Sequence, residues 1–224
     1  MTPRLAHVES WIFDLDNSLY SPSSNLFELI DIRMGMYIQR LLGCDAVEAR
    51  RVQKGHFLEH GTTLAGLMRD HGVDPHDFLD FVHDIDLARL TADPALVAAL
   101  DGLPGRKFVF TNGDEKYARR VLDKLGLANA FDGMHDIHAM AYVPKPNPTG
   151  YAAMCERLGI DPERALFVDD MARNLVPAKA LGMVTVWLDN GSERGGHDAD
   201  PAAIDYVATG IGAWLTEILG EEVA

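Results

Sequence analysis

The chain has 224 residues, of which 47% are hydrophobic and 24% charged, and it carries a formal net charge of −14. This length allows one large domain, or a core domain with a smaller insertion. The negative charge argues against a nucleic-acid-binding surface, which normally carries a basic patch, so no nucleic-acid partner is expected. Small anionic substrates remain compatible with it, because a metal ion or a lysine can reverse the field inside one cleft.

The sequence shows no feature of secretion or membrane insertion. The segment M-T-P-R-L-A-H lacks the long apolar core of a signal peptide, and no apolar run approaches the length of a membrane span. The two cysteines, Cys44 and Cys155, do not form a metal-like pair, so a disulfide framework is not expected. We expect a reduced, soluble, cytoplasmic protein without a membrane partner, present as a monomer or homodimer.

The first predicted element is a buried strand at Ser10–Phe13, a short apolar run that leads into the two acids of W-I-F-D-L-D. Four segments with helical patterns follow, with no convincing strand among them: Asn25–Leu42, Ala46–His60, Thr63–His71 and Pro75–Val82. A connection this long is better explained as an inserted helical subdomain than as a single loop. We therefore expect a four-helix cap over residues 18–91.

The rest of the chain alternates short apolar runs with helical patterns. The apolar runs predict strands at Lys107–Phe110, Ala165–Val168, Val184–Leu188 and, more weakly, Ile204–Val207. The helical patterns, each followed by a glycine placed as a helix stop, lie at Lys116–Leu125, Thr149–Leu158 and Ala172–Leu181. This alternation predicts an α/β core with a parallel sheet, formed by residues 1–17 and 92–224.

Polar residues stand where the predicted strands end. Carboxylates, a hydroxyl, an amide and an ammonium group are supplied by Asp14, Asp16, Thr111, Asn112, Lys145, Asp169 and Asp170. In open parallel sheets, ligands bind in the crevice outside the carboxyl ends of the strands. The predicted connectivity therefore brings these side chains into one cleft.

Each of these residue types has a use in phosphoryl transfer. A hard divalent ion such as Mg²⁺ prefers carboxylate, water and phosphate oxygens as ligands. With metal bound, one carboxylate can attack phosphorus and a second can move the protons. Thr111 and its neighbouring backbone N–H groups can hold phosphate oxygens, while Lys145 can offset negative charge on the nucleophile and the phosphoryl group.

Taken singly, the same signals have simpler structural explanations. A D-x-D sequence after a strand is often a turn or a helix cap, and Asp169-Asp170 can cap the helix that follows. Thr111-Asn112-Gly113 alone indicates a turn, and Lys145 alone a solvated loop lysine. Their joint order, each at the end of a separate strand or in the connecting loop, favours an active site.

The segments F-D-L-D-N-S-L-Y, F-T-N-G-D, the lysine of K-P-N-P and V-D-D-M-A-R-N resemble the four motifs of the haloacid dehalogenase-like hydrolase superfamily. The resemblance runs from about residue 12 to residue 188. It implies a Rossmann-like parallel sheet core with an inserted helical cap of the C1 type. It also implies an enzyme that uses Mg²⁺ and forms an aspartyl-phosphate from a small phosphate ester.

The resemblance assigns a role to each acid. It implies that Asp14 is the nucleophile and a metal ligand, and that Asp16 is the general acid and base, whose backbone carbonyl also binds Mg²⁺. The resemblance also implies that Asp170 ligates the metal directly, whereas Asp169 does so through water or occasionally directly. An acid at position 16 favours phosphate chemistry, since the dehalogenases of the superfamily usually lack one there.

Within the superfamily, three segments look most like the pyrimidine 5′-nucleotidase group: D-N-S-L-Y, L-P-G-R-K-F-V-F-T-N-G-D and K-G-H-F-L-E-H-G-T-T-L-A-G-L. This implies a pyrimidine nucleoside 5′-monophosphate as the leading substrate. Ser18 replaces the group's commoner threonine, and Met171 stands where a small polar residue is more usual. Phosphatases of sugar phosphates or phosphoglycolate are alternatives, and mutase or dehalogenase activity ranks lower.

We expect the cap to determine substrate selectivity, because the core residues named above are all expected to contact phosphate or metal. The turn around Gly61 lies between two helical patterns and can project polar groups into the cleft. We therefore expect His60, Thr62 and Thr63 to contact the leaving group.

Two other interpretations of the sequence remain. His56-Phe57-Leu58-Glu59-His60 matches the H-x-x-E-H pattern of some zinc proteases, but without a clear third ligand a cap helix facing substrate or solvent is favoured. A receiver domain also uses acids, Mg²⁺, a threonine and a lysine on a parallel sheet, as a phosphorylation switch without turnover. Its paired acids come first in the chain, however, whereas here the D-x-D comes first and Asp169-Asp170 last, so the enzyme is favoured.

Overall fold

The computed structural model describes residues 3–220, so the two ends of the expected core, residues 1–2 and 221–224, lie outside the described part. The described residues form one parallel sheet with the strand order β3-β2-β1-β4-β5-β6. The strands are β1 (Ser10–Phe13), β2 (Arg106–Phe110), β3 (Gly133–His135), β4 (Ala165–Asp169), β5 (Val184–Leu188) and β6 (Tyr206–Ala208). The predicted parallel α/β core is thus confirmed.

Four helices lie between β1 and β2, close to the predicted bounds: α1 (Leu26–Leu42), α2 (Ala46–His60), α3 (Thr63–His71) and α4 (Pro75–Val82). Side-chain oxygens at Asp45, Thr62 and Asp74 cap the starts of α2, α3 and α4 by accepting backbone N–H groups. Glycines with positive φ follow α1, α2 and α3, which is why local sequence predicted these elements well. We call residues 26–82 the helical insertion.

The helices that pack on the sheet are α5 (Pro94–Gly102), α6 (Glu115–Lys124), α7 (Pro148–Leu158), α8 (Leu175–Ala180) and α9 (Ile211–Gly220). The prediction of one helix over residues 172–181 was wrong at its start. A 3₁₀ turn occupies Ala172–Asn174, and the α-helix begins only at Leu175. Similarly, the weak strand predicted at Ile204–Val207 is displaced to Tyr206–Ala208, because the chain first passes through a 3₁₀ turn at Pro201–Ala203.

The central strands are buried along their whole length. Every residue of β1 and of β4 is buried, and β1 pairs on one side with β2 and on the other with β4. This placement requires the apolar runs seen in the sequence, since strands covered on both faces expose no residue to water. It also brings the ends of β1, β2 and β4 together at one edge of the sheet.

Within the helical insertion, α2 and α3 form a tightly packed hairpin. A Cβ at Gly66 of α3 would lie 2.3 Å from Cγ of His56 on α2, so only glycine allows this approach. Contacts also tie the insertion to the core, including the ion pair of Lys54 with Glu193 at 3.5 Å. Among residues 3–220, no helix combines the length and apolar character needed to cross a membrane.

Candidate active site

A cavity of about 210 Å³ lies between the carboxyl ends of the central strands and the helical insertion. Its wall on the sheet side includes six of the predicted site residues: Asp14, Asp16, Asn112, Lys145, Asp169 and Asp170. Residues from β1, β2, β4 and the loop before α7 thus share one cleft, as the strand-end argument predicted. Thr111 does not line this cavity.

Lys145 is the centre of the charge arrangement and is only 1% exposed. Its Nζ donates to Oδ1 of Asp14 at 2.8 Å, to Oδ2 of Asp169 at 2.7 Å and to the carbonyl oxygen of Phe110 at 2.9 Å. All three ammonium protons are therefore used. Burial alone would lower the pKa of Lys145, but the carboxylates of Asp14 and Asp169 raise it well above its ordinary value.

Asn112 holds the backbone of Lys145 in place. The backbone N–H of Lys145 donates to Oδ1 of Asn112 at 2.9 Å, and Nδ2 of Asn112 donates to the carbonyl oxygen of Lys145 at 3.4 Å. The amide thereby orients the lysine loop as well as facing the cavity. Thr111 is buried behind it, and its Oγ1 accepts the backbone N–H of Gly113 at 2.9 Å.

The buried lysine leads to a prediction about stability. In metal-free buffer, Lys145→Met should lower the free energy of unfolding by about 3–5 kcal/mol, because it leaves buried carboxylates without their counter-charge. Urea denaturation measures this loss. Lys116→Met is the matched control, since Lys116 pairs with Asp80 on the surface, where an ion pair contributes at most about 1 kcal/mol. Equal losses for the two variants would contradict the prediction.

Three carboxylates form a cluster that fits a hard metal ion. Ligand oxygens of Asp14, Asp169 and Asp170 all lie within 4.8 Å of one another, and all three residues are buried. Burial, followed by the charge of Asp14, raises the pKa of Asp170 well above its ordinary value. Oxygen donors with an excess of buried negative charge are the environment that Mg²⁺ prefers, so the residues present fit this ion.

The two acids of the D-D pair differ in their surroundings. Both carboxyl oxygens of Asp169 already accept hydrogen bonds: Lys145 donates to Oδ2, the N–H of Met171 donates to Oδ1, and Nδ2 of Asn174 donates to both. The pKa of Asp169 is nevertheless raised to about 6 by burial, against the opposing charge of Lys145. The ion pairs of Lys145 are with Asp14 and Asp169, so among the three acids of the cluster the negative charge of Asp170 is the one that Lys145 does not pair with.

Asp16 has a different environment from Asp14. Its Oδ1 accepts hydrogen bonds from the hydroxyls of Tyr20 at 2.7 Å and Tyr117 at 2.8 Å. Burial, and then the charge of Asp14, raises the pKa of Asp16. A carboxyl group with a raised pKa suits the transfer of a proton to a leaving group.

Sequence reasoning missed three residues around the two acids. Ser18 Oγ donates to Oδ2 of Asp14 at 2.8 Å, so both carboxylate oxygens of Asp14 are held, one by Ser18 and one by Lys145. Ser18 and Tyr20 stand four residues after Asp14 and Asp16, a spacing that could have drawn attention to them. Tyr117 had no local signal, because only the fold brings α6 next to the end of β1.

The opposite wall of the cavity comes from the helical insertion. Its apolar surface is formed mainly by Phe27, Ile30, Met34, Phe57, Leu64, Phe78, Leu79 and Val82. Of the three predicted selectivity residues, Thr62 and Thr63 line the cavity and His60 does not. The Thr62 hydroxyl also caps α3 by accepting the N–H of Ala65 at 3.1 Å.

The H-x-x-E-H segment gains a third possible ligand in the structure. Donor atoms of His56, His60 and Asp70 lie within 4.8 Å of one another. However, Nη1 of Arg69 lies 3.4 Å from Nδ1 of His60, and its positive charge opposes a second cation.

Comparison with known proteins places this geometry in a family. A model of the haloacid dehalogenase-like hydrolases matches residues 11–182. Phosphate metabolism protein 8 of Saccharomyces cerevisiae is 28% identical over 191 residues, covering 77% of this chain and 59% of the yeast protein. Glyceraldehyde 3-phosphate phosphatase of Methanopyrus kandleri is 28% identical over 216 residues, covering 89% of this chain and 91% of that protein.

The fold likewise resembles solved structures. A phosphatase of the same superfamily from Thermococcus onnurineus superposes with a TM-score of 0.65 at 22% identity, covering 97% of this chain and 100% of the other. At this level of identity the match concerns the fold. It extends across both the sheet and the helical insertion.

Proposed function

Since this chain belongs to the haloacid dehalogenase-like hydrolase family, we propose that it is a Mg²⁺-dependent phosphomonoesterase acting through an aspartyl-phosphate. The observation that carries the proposal is the different setting of the two acids of D-x-D. Asp14 lies in the carboxylate cluster beside Lys145, as a nucleophile requires. Asp16 is held outside that cluster by two hydroxyls, and its pKa is raised, as a proton donor requires.

The proposed reaction has two steps. In the first, a carboxylate oxygen of Asp14 forms a bond to phosphorus while the bond from phosphorus to the ester oxygen breaks, and Asp16 gives its proton to that oxygen. In the second, a water molecule attacks the phosphorus of the aspartyl-phosphate and Asp16 takes a proton from it. The P–O bond to Asp14 breaks, which releases phosphate and restores both acids.

The charges of Lys145 and of the carboxylate cluster act in both of these steps. Lys145 stabilises the carboxylate form of Asp14 before attack, and its charge also faces the transferring phosphoryl group. Mg²⁺ would be held by the carboxylates of Asp14 and Asp170 and by the backbone carbonyl of Asp16. Asp169 would contact it through water. Bound Mg²⁺ supplies Lewis-acid stabilisation of the phosphoryl oxygens. On the β2 side, Asn112 lines the cavity and is proposed to face the phosphate oxygens, whereas Thr111 does not line it and its hydroxyl is proposed to hold the backbone of Gly113 in place.

The helical insertion is proposed to act as a cap, with residues 18–91 as the cap domain and residues 1–17 and 92–224 as the core. Support comes from the cavity itself, which has core acids on one wall and insertion side chains on the other. A lid of this kind can exclude water from the leaving group during phosphoryl transfer.

The leading substrate is a pyrimidine nucleoside 5′-monophosphate. The insertion supplies an apolar, partly aromatic wall with the polar groups of Gln53 and Thr62 on it, a combination suited to a flat polar heterocycle. A sugar phosphate or phosphoglycolate is the second candidate, and the name of the Methanopyrus relative, a triose phosphate phosphatase, favours it.

A phosphatase screen over a panel of metabolite monophosphates tests the proposal. The panel should include UMP, CMP, AMP, glyceraldehyde 3-phosphate and 2-phosphoglycolate, with phosphate release as the readout. Preferential turnover of UMP or CMP would support the nucleotidase proposal, and preference for one of the small phosphates would favour the second candidate. A chain that becomes phosphorylated but never turns over would instead be a receiver-like switch.

Selectivity is predicted to depend on the turn before α3. Thr62→Ala should cost the preferred ester about 1–3 kcal/mol of transition-state stabilisation, because polar groups of the leaving group lose their partner. A small aryl phosphate should lose much less. His60→Ala is expected to have a similar but smaller effect, since His60 stands beside the cavity wall. The ratio of kcat/KM between the two esters measures both changes.

Thr62→Ser is the matched control, because it keeps the hydroxyl that caps α3, whose loss costs about 1 kcal/mol of stability. Its substrate ranking should resemble that of the wild type. If Thr62→Ala and His60→Ala depress every ester equally, selectivity resides elsewhere and the nucleotidase proposal loses its structural support.

A further inference from the structure

We propose that Tyr20 and Tyr117 are positioning residues that fix the orientation of the Asp16 carboxyl group. Both hydroxyls donate to the same oxygen, Oδ1 of Asp16, at 2.7 and 2.8 Å. The inference rests on the proposed function, in which Asp16 delivers a proton to the leaving group. It assigns a catalytic purpose to two buried tyrosines that the reaction itself does not use.

Two donors on one oxygen fix the plane of the carboxyl group. Among residues 3–220, no side chain or backbone N–H donates to the other oxygen, Oδ2. That oxygen faces Gly113, which lines the cavity: a Cβ built on Gly113 would lie 3.8 Å from it. Oδ1 of Asp16 is therefore held by the protein. Oδ2 is left free to face the site where the ester oxygen must receive its proton.

The two tyrosines are suited to this task by the positions of their hydroxyls. Each hydroxyl oxygen lies within hydrogen-bond distance of Oδ1 of Asp16, and the two hydroxyl oxygens lie 3.5 Å apart, so both converge on the same carboxyl oxygen. Both residues are buried, so water does not compete for Oδ1.

Tyr117 is itself held by neighbours from two elements. Its backbone N–H donates to the side chain of Asp114, which caps α6, at 2.8 Å. The ring of His83, at the end of α4, stacks on the Tyr117 ring with centroids 4.2 Å apart, and its Nδ1 is hydrogen bonded to Asp114. Arg120 fixes His83 further by donating to its carbonyl oxygen at 2.9 Å.

The residues that hold Asp16 in place, directly or through Tyr117, therefore include one on each of the two chain segments that connect the sheet to the helical insertion. Tyr20 stands on the segment that leaves β1 for α1, and His83 begins the segment that returns from α4. With the insertion placed as in this structure, both segments hold the tyrosines against Asp16.

Leaving-group dependence tests the proposal with Tyr20→Phe and Tyr117→Phe. General acid catalysis contributes about 100- to 10,000-fold, so a misoriented acid should lower kcat/KM for an alkyl ester such as glycerol 2-phosphate by about tenfold in each variant. For p-nitrophenyl phosphate, whose leaving group needs little protonation, the loss should stay below about threefold. The inhibition constant of inorganic phosphate should be unchanged, because neither hydroxyl addresses the phosphoryl site.

Tyr37→Phe is the matched control, since its hydroxyl donates to Asp77 at 2.8 Å within the helical insertion. It should leave kcat/KM for both esters at the wild-type level. Equal losses for the two esters in Tyr20→Phe and Tyr117→Phe, or no loss for either, would overturn the positioning role while leaving the proposed function intact. Failure of the wild type to release phosphate from these two esters and from every ester of the metabolite panel would refute the proposed function and this inference with it.

Discussion

Replacement of Asp14 by asparagine is expected to reduce phosphatase turnover by at least about a thousandfold, because the amide keeps the shape of the side chain but lacks the anionic oxygen that the proposed reaction uses as its nucleophile. The acids that lie near Asp14 in the described part of the chain are Asp16, Asp169 and Asp170, and each has another position or proposed role, with Asp170 proposed as a metal ligand. Both oxygens of Asp169 accept hydrogen bonds from the protein, and Asp16 is held by two tyrosines outside the cluster. The first covalent step should therefore fail rather than slow down.

The fold should survive this substitution. Lys145 keeps Asp169 and the carbonyl oxygen of Phe110 as partners, and Ser18 can still donate to the amide oxygen. Steady-state hydrolysis and circular dichroism of the same preparation measure the two effects, and mass spectrometry of the quenched wild type should detect a phosphoryl adduct that Asp14→Asn lacks. Asp80→Asn, which removes an exposed acid paired with Lys116, should hydrolyse the substrate like the wild type. A folded Asp14→Asn protein with wild-type turnover would remove Asp14 from the mechanism.

Removal of divalent metal should abolish turnover, and Mg²⁺ should restore it. Without a cation, Lys145 is the single positive group in contact with the cluster of Asp14, Asp169 and Asp170 among the described residues, so the cleft repels a phosphate dianion. The measurement is hydrolysis after treatment with a chelator, followed by titration with Mg²⁺. Full activity in metal-free buffer, or rescue by Zn²⁺ alone, would point to a different mechanism.

Thermal unfolding gives a second readout of the same site, independent of activity. A ligand that binds the native state raises the unfolding temperature, so Mg²⁺ should stabilise the wild type. Asp170→Asn should weaken this response, since it removes one carboxylate of the cluster without removing an ion-pair partner of Lys145. Asp70→Asn is the control, because it changes the His56 and His60 group instead. A response to Mg²⁺ that depends on Asp70 and not on Asp170 would place the cation in the helical insertion.

The elements predicted from sequence are those with strong local signals. Ser10–Phe13 and Val184–Leu188 were predicted with the bounds that the structure has, because both are continuous apolar runs ended by polar residues. β3 was missed because it has three residues, among them a glycine, and exists through its pairing with β2. α5 and α9 were also missed, although Asp93 caps the first by accepting the N–H groups of Ala95 and Leu96.

In the site, too, some residues could be predicted from the sequence and others could not. Residues at strand ends could be brought together from the sequence, since topology alone places them at one edge of the sheet. Tyr117 could not, because its approach to Asp16 depends on how α6 packs beside β1. The sequence also could not predict that His60 does not line the cavity, since this depends on the direction in which one turn of α2 faces.

The strand order described above also dictates a sequence of events in folding. β1 precedes both of its partners in the chain, and Ser10 pairs with Arg106 on one side and with Ala165 on the other. During synthesis this apolar strand has no partner until the whole helical insertion has emerged, and its second partner comes later still. The α2–α3 hairpin, whose contacts are local, can form in that interval, whereas the sheet must wait to close loops of high sequence separation. Assembly of the catalytic edge is therefore a late event, completed only when β4 docks beside β1.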